Sequence, residues 1–307
     1  MKIFLVESIH PSAYQLLKER HQIIDDYSLI HTCDIVISRN LRIDKVFLDK
    51  CIDLKLIVIH GTGYDDVDTE YAKKKGIHLF NTPGQNALSV AELIVTMMLQ
   101  ISRQTTLLYN DYKDNKISRV APIQYLGHEI SYKTFGIIGV GDIALKTAEI
   151  LKTGFHMIIL GYSPSLTREK AKQLGIQYCE TIEDVFKNAD YISIGCSLNN
   201  QTYHMIDSHY LSLMKPTAYL INTSRGAIVN ESDLYNILKD KKIAGAAVDV
   251  LENEPIVYNH PLLQLDNFIY TPHIGGSTDE ALLRVGMMLV ESIEKFENDE
   301  ICEHLLF

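Results

Sequence analysis

Two series of short β-rich runs, each run followed by a helical pattern, constrain the fold of this chain more than any other feature. KIFLVE (2–7), DIVISR (34–39), KLIVIHG (55–61) and HLFNTP (78–83) make the first series, and FGIIGV, MIILGY, YISIGC, AYLINT, GAAVDV and FIYTPH the second. Strands that alternate with helices pair in parallel, because each helix carries the chain back along the sheet, and a sheet covered on both faces reads as unbroken apolar runs. The expected class is therefore α/β, and the six strands of the second series suffice for a complete Rossmann sheet. Between the series, residues 86 to about 110 read as one long helix, apolar at Val90, Leu93, Ile94, Met97, Met98 and Ile101 and opened by the S-x-x-E pair Ser89 and Glu92. Residues 279–299 are helical by pattern but too few for a domain, so they are expected to pack back on the first series. A length of 307 residues also points to two domains. The expected organisation is two doubly wound parallel-sheet domains: a discontinuous substrate domain of residues 1–103 and 276–307, and a dinucleotide-binding domain of residues 104–275 inserted in it.

The formal net charge of -10 argues against nucleic acid or an anionic membrane surface as partner, since both select a basic face; a small molecule is the expected partner. No apolar run approaches the roughly 20 residues that span a bilayer. The opening MKIFLVESIHP turns to acid and proline where a signal peptide stays apolar, so the expected location is cytoplasmic. Five scattered cysteines without a C-x-x-C pair read as free thiols, and Cys196, at the end of an apolar run, reads as a buried small hydrophobe rather than a nucleophile. The twelve histidines include no H-x-x-x-H or H-E-x-x-H spacing, and no metal site is expected.

Gly139-Val140-Gly141-Asp142-Ile143-Ala144 follows one apolar run and opens a helical one, ALKTAEILK. This is G-x-G-x-x-A in the strand-turn-helix setting that gives the motif meaning. The first glycine permits the turn, the second lets backbone approach a pyrophosphate, and the small Ala144 allows close helix packing; the helix N-terminus then offers N–H groups to the phosphates. The next strand ends in LGYSPS, so Ser163 stands where an acid would accept hydrogen bonds from the adenosine ribose. Without that acid, and with Ser165 and Arg168 nearby in sequence, both NAD and NADP stay open, with a lean to NADP.

In TPHIGGST (271–278), His273 by itself is no more than a residue at a strand end, and Ser277 and Glu280 have the spacing of a capping box for the following helix. Its partners change that reading. Arg225 follows the fourth strand of the second series, Asp249 ends the fifth with Glu252 and Glu254 beyond it, and His273 follows the sixth. Strand carboxyl ends are where open α/β sheets bind ligands. There a histidine can donate or accept a hydroxyl proton as hydride moves to or from the adjacent carbon, a carboxylate on its other nitrogen fixes its tautomer, and an arginine binds a carboxylate and polarises a ketone oxygen.

These motifs, with GTGYDDVD (61–68), NTPGQNALSVAEL (81–93), NTSRGAIVN (222–230) and AGAAVDVLENEP (244–255), resemble the D-isomer-specific 2-hydroxyacid dehydrogenase family along nearly the whole chain. The resemblance implies a flavodoxin-like substrate domain and hydride transfer between a nicotinamide dinucleotide and a small 2-keto or D-2-hydroxy acid. It implies that His273 is the acid/base, Glu254 tunes it and Arg225 orients the substrate, whose carboxylate is held by the amides of Thr62 and Gly63. Cofactor contacts are implied at Gly139, Gly141, Asp142, Ile143, Ser163, Cys196, Thr223, Ser224, Arg225 and Asp249. Members are similar in forming homodimers through an arm like residues 104–130. Two departures stand out: Ser163 replaces the ribose acid, and His60 stands where the phosphoglycerate enzymes carry an arginine for the substrate phosphate, with Arg39 nearby by pattern. A dinucleotide-sensing corepressor-like protein on the same fold is the alternative from another class, and a phosphite or formate type of reductase a third.

Overall fold

A computed structural model describes residues 1–300 and 302–307. The chain divides into two units, Met1–Ser89 with Gly276–Phe307, and Val90–Gly275.

In the first unit β1 (Lys2–Leu5), β2 (Gln22–Ile24), β3 (Ile35–Ser38), β4 (Leu56–Ile59) and β5 (His78–Asn81) form a wholly parallel sheet in the order β2-β1-β3-β4-β5. That is the flavodoxin-like strand order. Successive side chains leave a strand on opposite faces, and here both faces are apolar. Phe4, Val36, Ile57 and Leu79 enter one core, while Ile3, Ile35, Ile37, Val58 and Phe80 enter the other. The second core is closed by Ala13 and Leu17 of the helix Pro11–Arg20 and by Leu289, Val290 and Ile293 of the helix Asp279–Glu297. Burying those last three side chains is worth roughly 5–9 kcal/mol of transfer free energy before ordering costs, so the returning helix is an integral part of this unit. Its N-cap is Thr278, whose hydroxyl accepts the Ala281 amide at 3.2 Å, one residue beyond the expected Ser277. Ser277 instead accepts a hydrogen bond from Arg39 Nη2 at 2.8 Å.

The second unit holds β6 (Thr134–Ile138), β7 (Ile158–Tyr162), β8 (Gln177–Tyr178), β9 (Tyr191–Ile194), β10 (Tyr219–Asn222), β11 (Gly245–Val248) and β12 (Phe268–Tyr270). All are parallel, in the order β12-β11-β10-β9-β6-β7-β8, a Rossmann sheet with one further strand. The border of this unit precedes the expected residue 104. Val90, Ile94, Met97, Met98 and Ile101 of the helix Ala87–Ser102 are buried against Phe135, Ile137, Ile221 and Ala247 of this sheet, which moves the border to Val90. The expected single helix over 86–110 is two: the chain breaks at Gln104, whose φ is 52°, before the helix Thr105–Lys113. Ser89 lies inside the first of them rather than at its start. Among the described residues no helix is long and apolar enough to cross a membrane.

Candidate active site

Because each sheet is parallel, the loops that follow its strands gather at its carboxyl edge, and most of the site residues expected from the sequence sit there. After β6 the chain turns through Gly139 at φ 92°, and a Cβ at Gly139 would stand 2.6 Å from Cys196 N and 2.7 Å from Gly195 C. Only glycine fits between the β6 loop and the backbone after β9. Gly141 is the N-cap of the helix Asp142–Phe155; no side chain caps it, and a Cβ there would meet nothing within 4 Å. A fourteen-residue helix thus begins with its first N–H groups facing open space, and Asp142 and Ile143 form its first turn. This cradle fits a dinucleotide pyrophosphate. Cys196 lies beside it by its backbone; burial pushes its thiol up to about 11, which leaves it a packing residue. Ser224 donates to the Cys196 carbonyl at 2.5 Å, tying the β10 loop, with Thr223, to the same wall.

Ser163 follows β7 with its hydroxyl 3.3 Å from that of Ser165. Arg168, the cation that favoured a 2'-phosphate in the sequence, is paired with Glu180 at 3.2 Å and lies over the Tyr178 ring at 4.8 Å. With that guanidinium engaged by a carboxylate, the lean to NADP rests on Ser163 alone.

The turn that carries His273 is built on Asp249. Both oxygens of its carboxylate, 1 % exposed at the end of β11, are committed to the turn after β12: Oδ1 accepts from Thr271 Oγ1 at 2.5 Å and Ile274 N at 2.9 Å, and Oδ2 accepts from Gly275 N at 2.7 Å. Burial raises the Asp249 pKa, and these hydrogen bonds oppose the rise. Expected as a cofactor contact, Asp249 serves as the frame of the TPHIGG turn. That turn places His273 at φ 53°, where its N–H donates to the Asp249 carbonyl at 2.8 Å. A left-handed backbone costs a residue with a Cβ about 1 kcal/mol, and such strain persists where the surroundings impose it. The imidazole Nδ1 lies 2.8 Å from Glu254 Oε2, while Glu254 Oε1 accepts the Leu251 amide at 3.0 Å. A carboxylate only accepts, so Nδ1 carries the hydrogen and Nε2 is the nitrogen available to a substrate.

Arg225 is joined to this pair through the backbone. Asn222 at the end of β10 donates to the Arg225 carbonyl at 2.9 Å and accepts from the Ser224 amide at 3.1 Å, while Arg225 Nη1 donates to the Ser224 carbonyl at 2.8 Å. The next residue, Gly226, is pressed so closely on the peptide joining Leu251 and Glu252 that a Cβ would overlap it. β10, β11 and β12 are neighbours in the sheet, so Arg225, Glu254 and His273 leave three adjacent strand ends. Of the two acids left open by the sequence, Glu254 meets His273 and Glu252 turns to Glu231 instead. Asn222, Gly226 and Thr271 were not singled out in the sequence, although the first two lie in the NTSRG motif.

In the first unit, Asn81 donates to the Thr62 carbonyl at 2.8 Å, and Thr82 donates to the Gly61 carbonyl from N at 2.9 Å and from Oγ1 at 3.2 Å. These bonds hold the GTG turn by its carbonyls, and among the described residues the amides of Thr62 and Gly63 donate to no protein acceptor. His60, directly before the turn, is 5 % exposed, and its Nε2 is buried without a hydrogen-bond partner among the described residues. Burial, with the nearby Arg39 charge, lowers its pKa to about 4, so it is neutral at pH 7. Arg39 and Asn40 donate their amides to the two Glu7 oxygens at 2.9 and 2.8 Å, closing the loop after β3 against that after β1.

A glycine cradle at a Rossmann switch point and a histidine-carboxylate pair beside an arginine define a nucleotide-dependent oxidoreductase. The model of the D-isomer specific 2-hydroxyacid dehydrogenase NAD binding domain matches residues 95–275. A Staphylococcus haemolyticus protein provisionally named a 2-hydroxyacid dehydrogenase is 37% identical over 298 residues, 91% of each chain. D-3-phosphoglycerate dehydrogenase of Methanocaldococcus jannaschii is 34% identical over 315 residues, all of this chain and 59% of that one. The structure of D-lactate dehydrogenase from Aquifex aeolicus, in complex with NAD and lactic acid, is similar with a TM-score of 0.86 and 27% identity over 100% of this chain and 99% of that one. The chain belongs to the D-isomer specific 2-hydroxyacid dehydrogenase family. It is an NAD-dependent oxidoreductase acting on the CH–OH group of 2-hydroxy acids.

Proposed function

We propose that this enzyme interconverts a small D-2-hydroxy acid and its 2-keto acid, with His273 as acid/base, Glu254 fixing its tautomer and Arg225 orienting the substrate. The observation that carries this reading is the 2.8 Å contact between His273 Nδ1 and Glu254 Oε2, which leaves Nε2 to exchange the substrate hydroxyl proton. NAD, when bound, accepts or supplies the hydride. Gly139, Gly141, Asp142, Ile143, Ser163, Cys196, Thr223 and Ser224 are the residues offered for its binding. Arg225 is the cation offered to a substrate carboxylate and ketone oxygen, and the amides of Thr62 and Gly63 are backbone donors suited to a carboxylate. His60 adds no positive charge at neutral pH, which favours an unphosphorylated acid over a phosphate ester. Tyr109, Tyr112, Val120, Ile123 and Leu126 of the arm are 64–96% exposed, an apolar surface suited to a homodimer in the cytoplasm.

Replacing His273 with Gln is expected to lower kcat by about 10²–10⁴ with NADH binding nearly intact. Turnover near that of the wild type would refute the assignment. Steady-state rates with glyoxylate, hydroxypyruvate, pyruvate, branched 2-keto acids and 3-phosphohydroxypyruvate, each with NADH and NADPH, identify substrate and cofactor together. Hydroxypyruvate is expected above its phosphorylated form.

A further inference from the structure

Behind the catalytic loop, on its other side, four titratable side chains meet that the proposed reaction does not use. Glu252 Oε1 accepts the Glu231 amide at 3.1 Å, and Glu231 Oε1 accepts the Glu252 amide at 2.5 Å, so each carboxylate binds the other residue's backbone. His204 Nε2 lies 2.8 Å from Glu252 Oε1 without the alignment of a hydrogen bond, and His260 Nε2 lies 3.2 Å from Glu231 Oε2. The Glu252 and Glu231 side chains are 23% and 17% exposed. Each of these half-buried carboxylates is thus satisfied by the backbone N–H of the other residue.

What the cluster holds in place is one peptide, that joining Leu251 and Glu252. Its N–H is fixed by Glu231, and Gly226 packs on its face, next to Arg225. The preceding amide, of Leu251, sets Glu254 Oε1, whose partner oxygen meets His273. The other end of the cluster is tied to the same turn, since His204 N donates to the Ala227 carbonyl at 2.8 Å. We propose that Glu252, clasped to Glu231, is a positioning residue that sets Glu254 against His273. The proposal rests on the reading of His273 as the acid/base.

The test is a double-mutant cycle on kcat with the full-length enzyme and the best 2-keto acid of the substrate series. Glu252→Ala is expected to lower kcat by about tenfold to a hundredfold, the cost of a misplaced catalytic group, with NADH affinity by fluorescence titration changed less than about twofold. Glu252→Gln, which keeps an oxygen for the Glu231 amide, restores most of the rate. In a Glu254→Gln background Glu252→Ala costs nothing further, because Glu252 acts through Glu254; a merely stabilising residue multiplies its loss instead. Glu252→Asp, with the same charge and a shorter reach, gives the same comparison where the alanine variant does not fold. Wild-type kcat in both Glu252→Ala and Glu252→Asp, or multiplicative losses in the double variant, overturns the proposal. If His273→Gln retains full turnover, the acid/base reading fails and the proposal falls with it; if His273→Gln is slow and the Glu252 variants are not, the proposal alone falls.

Discussion

Asp249→Asn tests whether the strand-end acid serves the turn or the cofactor. The carboxylate accepts three hydrogen bonds, from Thr271 Oγ1, Ile274 N and Gly275 N. An asparagine of the same shape has one oxygen and one NH2. With the oxygen at the Oδ1 position, Gly275 N faces an N–H; with the amide flipped, the Thr271 hydroxyl rotates to accept and Ile274 N is left. Either way one buried amide of the turn loses its acceptor, a cost of about 2–3 kcal/mol. That exceeds the roughly 1 kcal/mol strain of the left-handed His273 backbone, so the turn has little reserve with which to hold the imidazole in place. In calorimetry the variant is expected to melt roughly 5–10 °C lower, as a loss of this size gives in a unit of this length. In steady-state kinetics kcat falls about tenfold to a hundredfold while the NADH dissociation constant stays close to that of the wild type. An unchanged melting temperature with weakened NADH binding would refute the reasoning and return Asp249 to the cofactor.

Gly226→Ala forces a methyl group onto the Leu251 peptide. It is expected to cost about 1–3 kcal/mol by overpacking and to lower kcat/KM more than about tenfold, read by melting and initial rates. His60 makes stability depend on pH in a defined direction. Its folded pKa is depressed to about 4 from 6.5, so the unfolded chain binds the proton first as pH falls. Its contribution is full above pH 6.5 and is lost progressively toward pH 4, up to about 3 kcal/mol in all. Denaturant titrations at pH 7, 5.5 and 4.5 should show that loss in the wild type and not in His60→Gln; parallel losses in both proteins assign the dependence to other groups.

Most of the sheet was legible because strands buried on both faces, such as Leu56–Ile59, read as unbroken apolar runs. β2 and β8 were not: three and two residues at sheet edges, mostly exposed or half-buried, leave no such run. The stripe from Val90 to Ile101 announced a buried helix but not which sheet it covers, and that choice moved the domain border. Capping signals fall astray at both helices: Ser89 lies inside the helix Ala87–Ser102, and Ser277 lies one residue before the N-cap Thr278, which only backbone geometry selects. At the site, strand-end placement exposed Arg225 and His273 but left Asp249, Glu252 and Glu254 open as the carboxylate, and only the family resemblance selected Glu254. The grip of Asp249 on the turn, and of Glu231 on Glu252 across 21 residues of sequence, follows no period and becomes visible only in three dimensions.

The discontinuity of the first unit has a consequence for how the chain acquires its structure. Synthesis yields β1 to β5 before the second unit, yet Ile3, Ile35, Val58 and Phe80 of that sheet rest on Leu289, Val290 and Ile293, which are made only after it. The second unit is contiguous and has all its strands by Gly275. On the ribosome the inserted unit can therefore close before the unit whose first segment precedes it, while that earlier segment still shows one apolar sheet face to solvent and chaperones. A nascent chain stalled before residue 276 has a finished nucleotide fold and an unfinished partner, and the aggregation hazard of this protein lies in that interval.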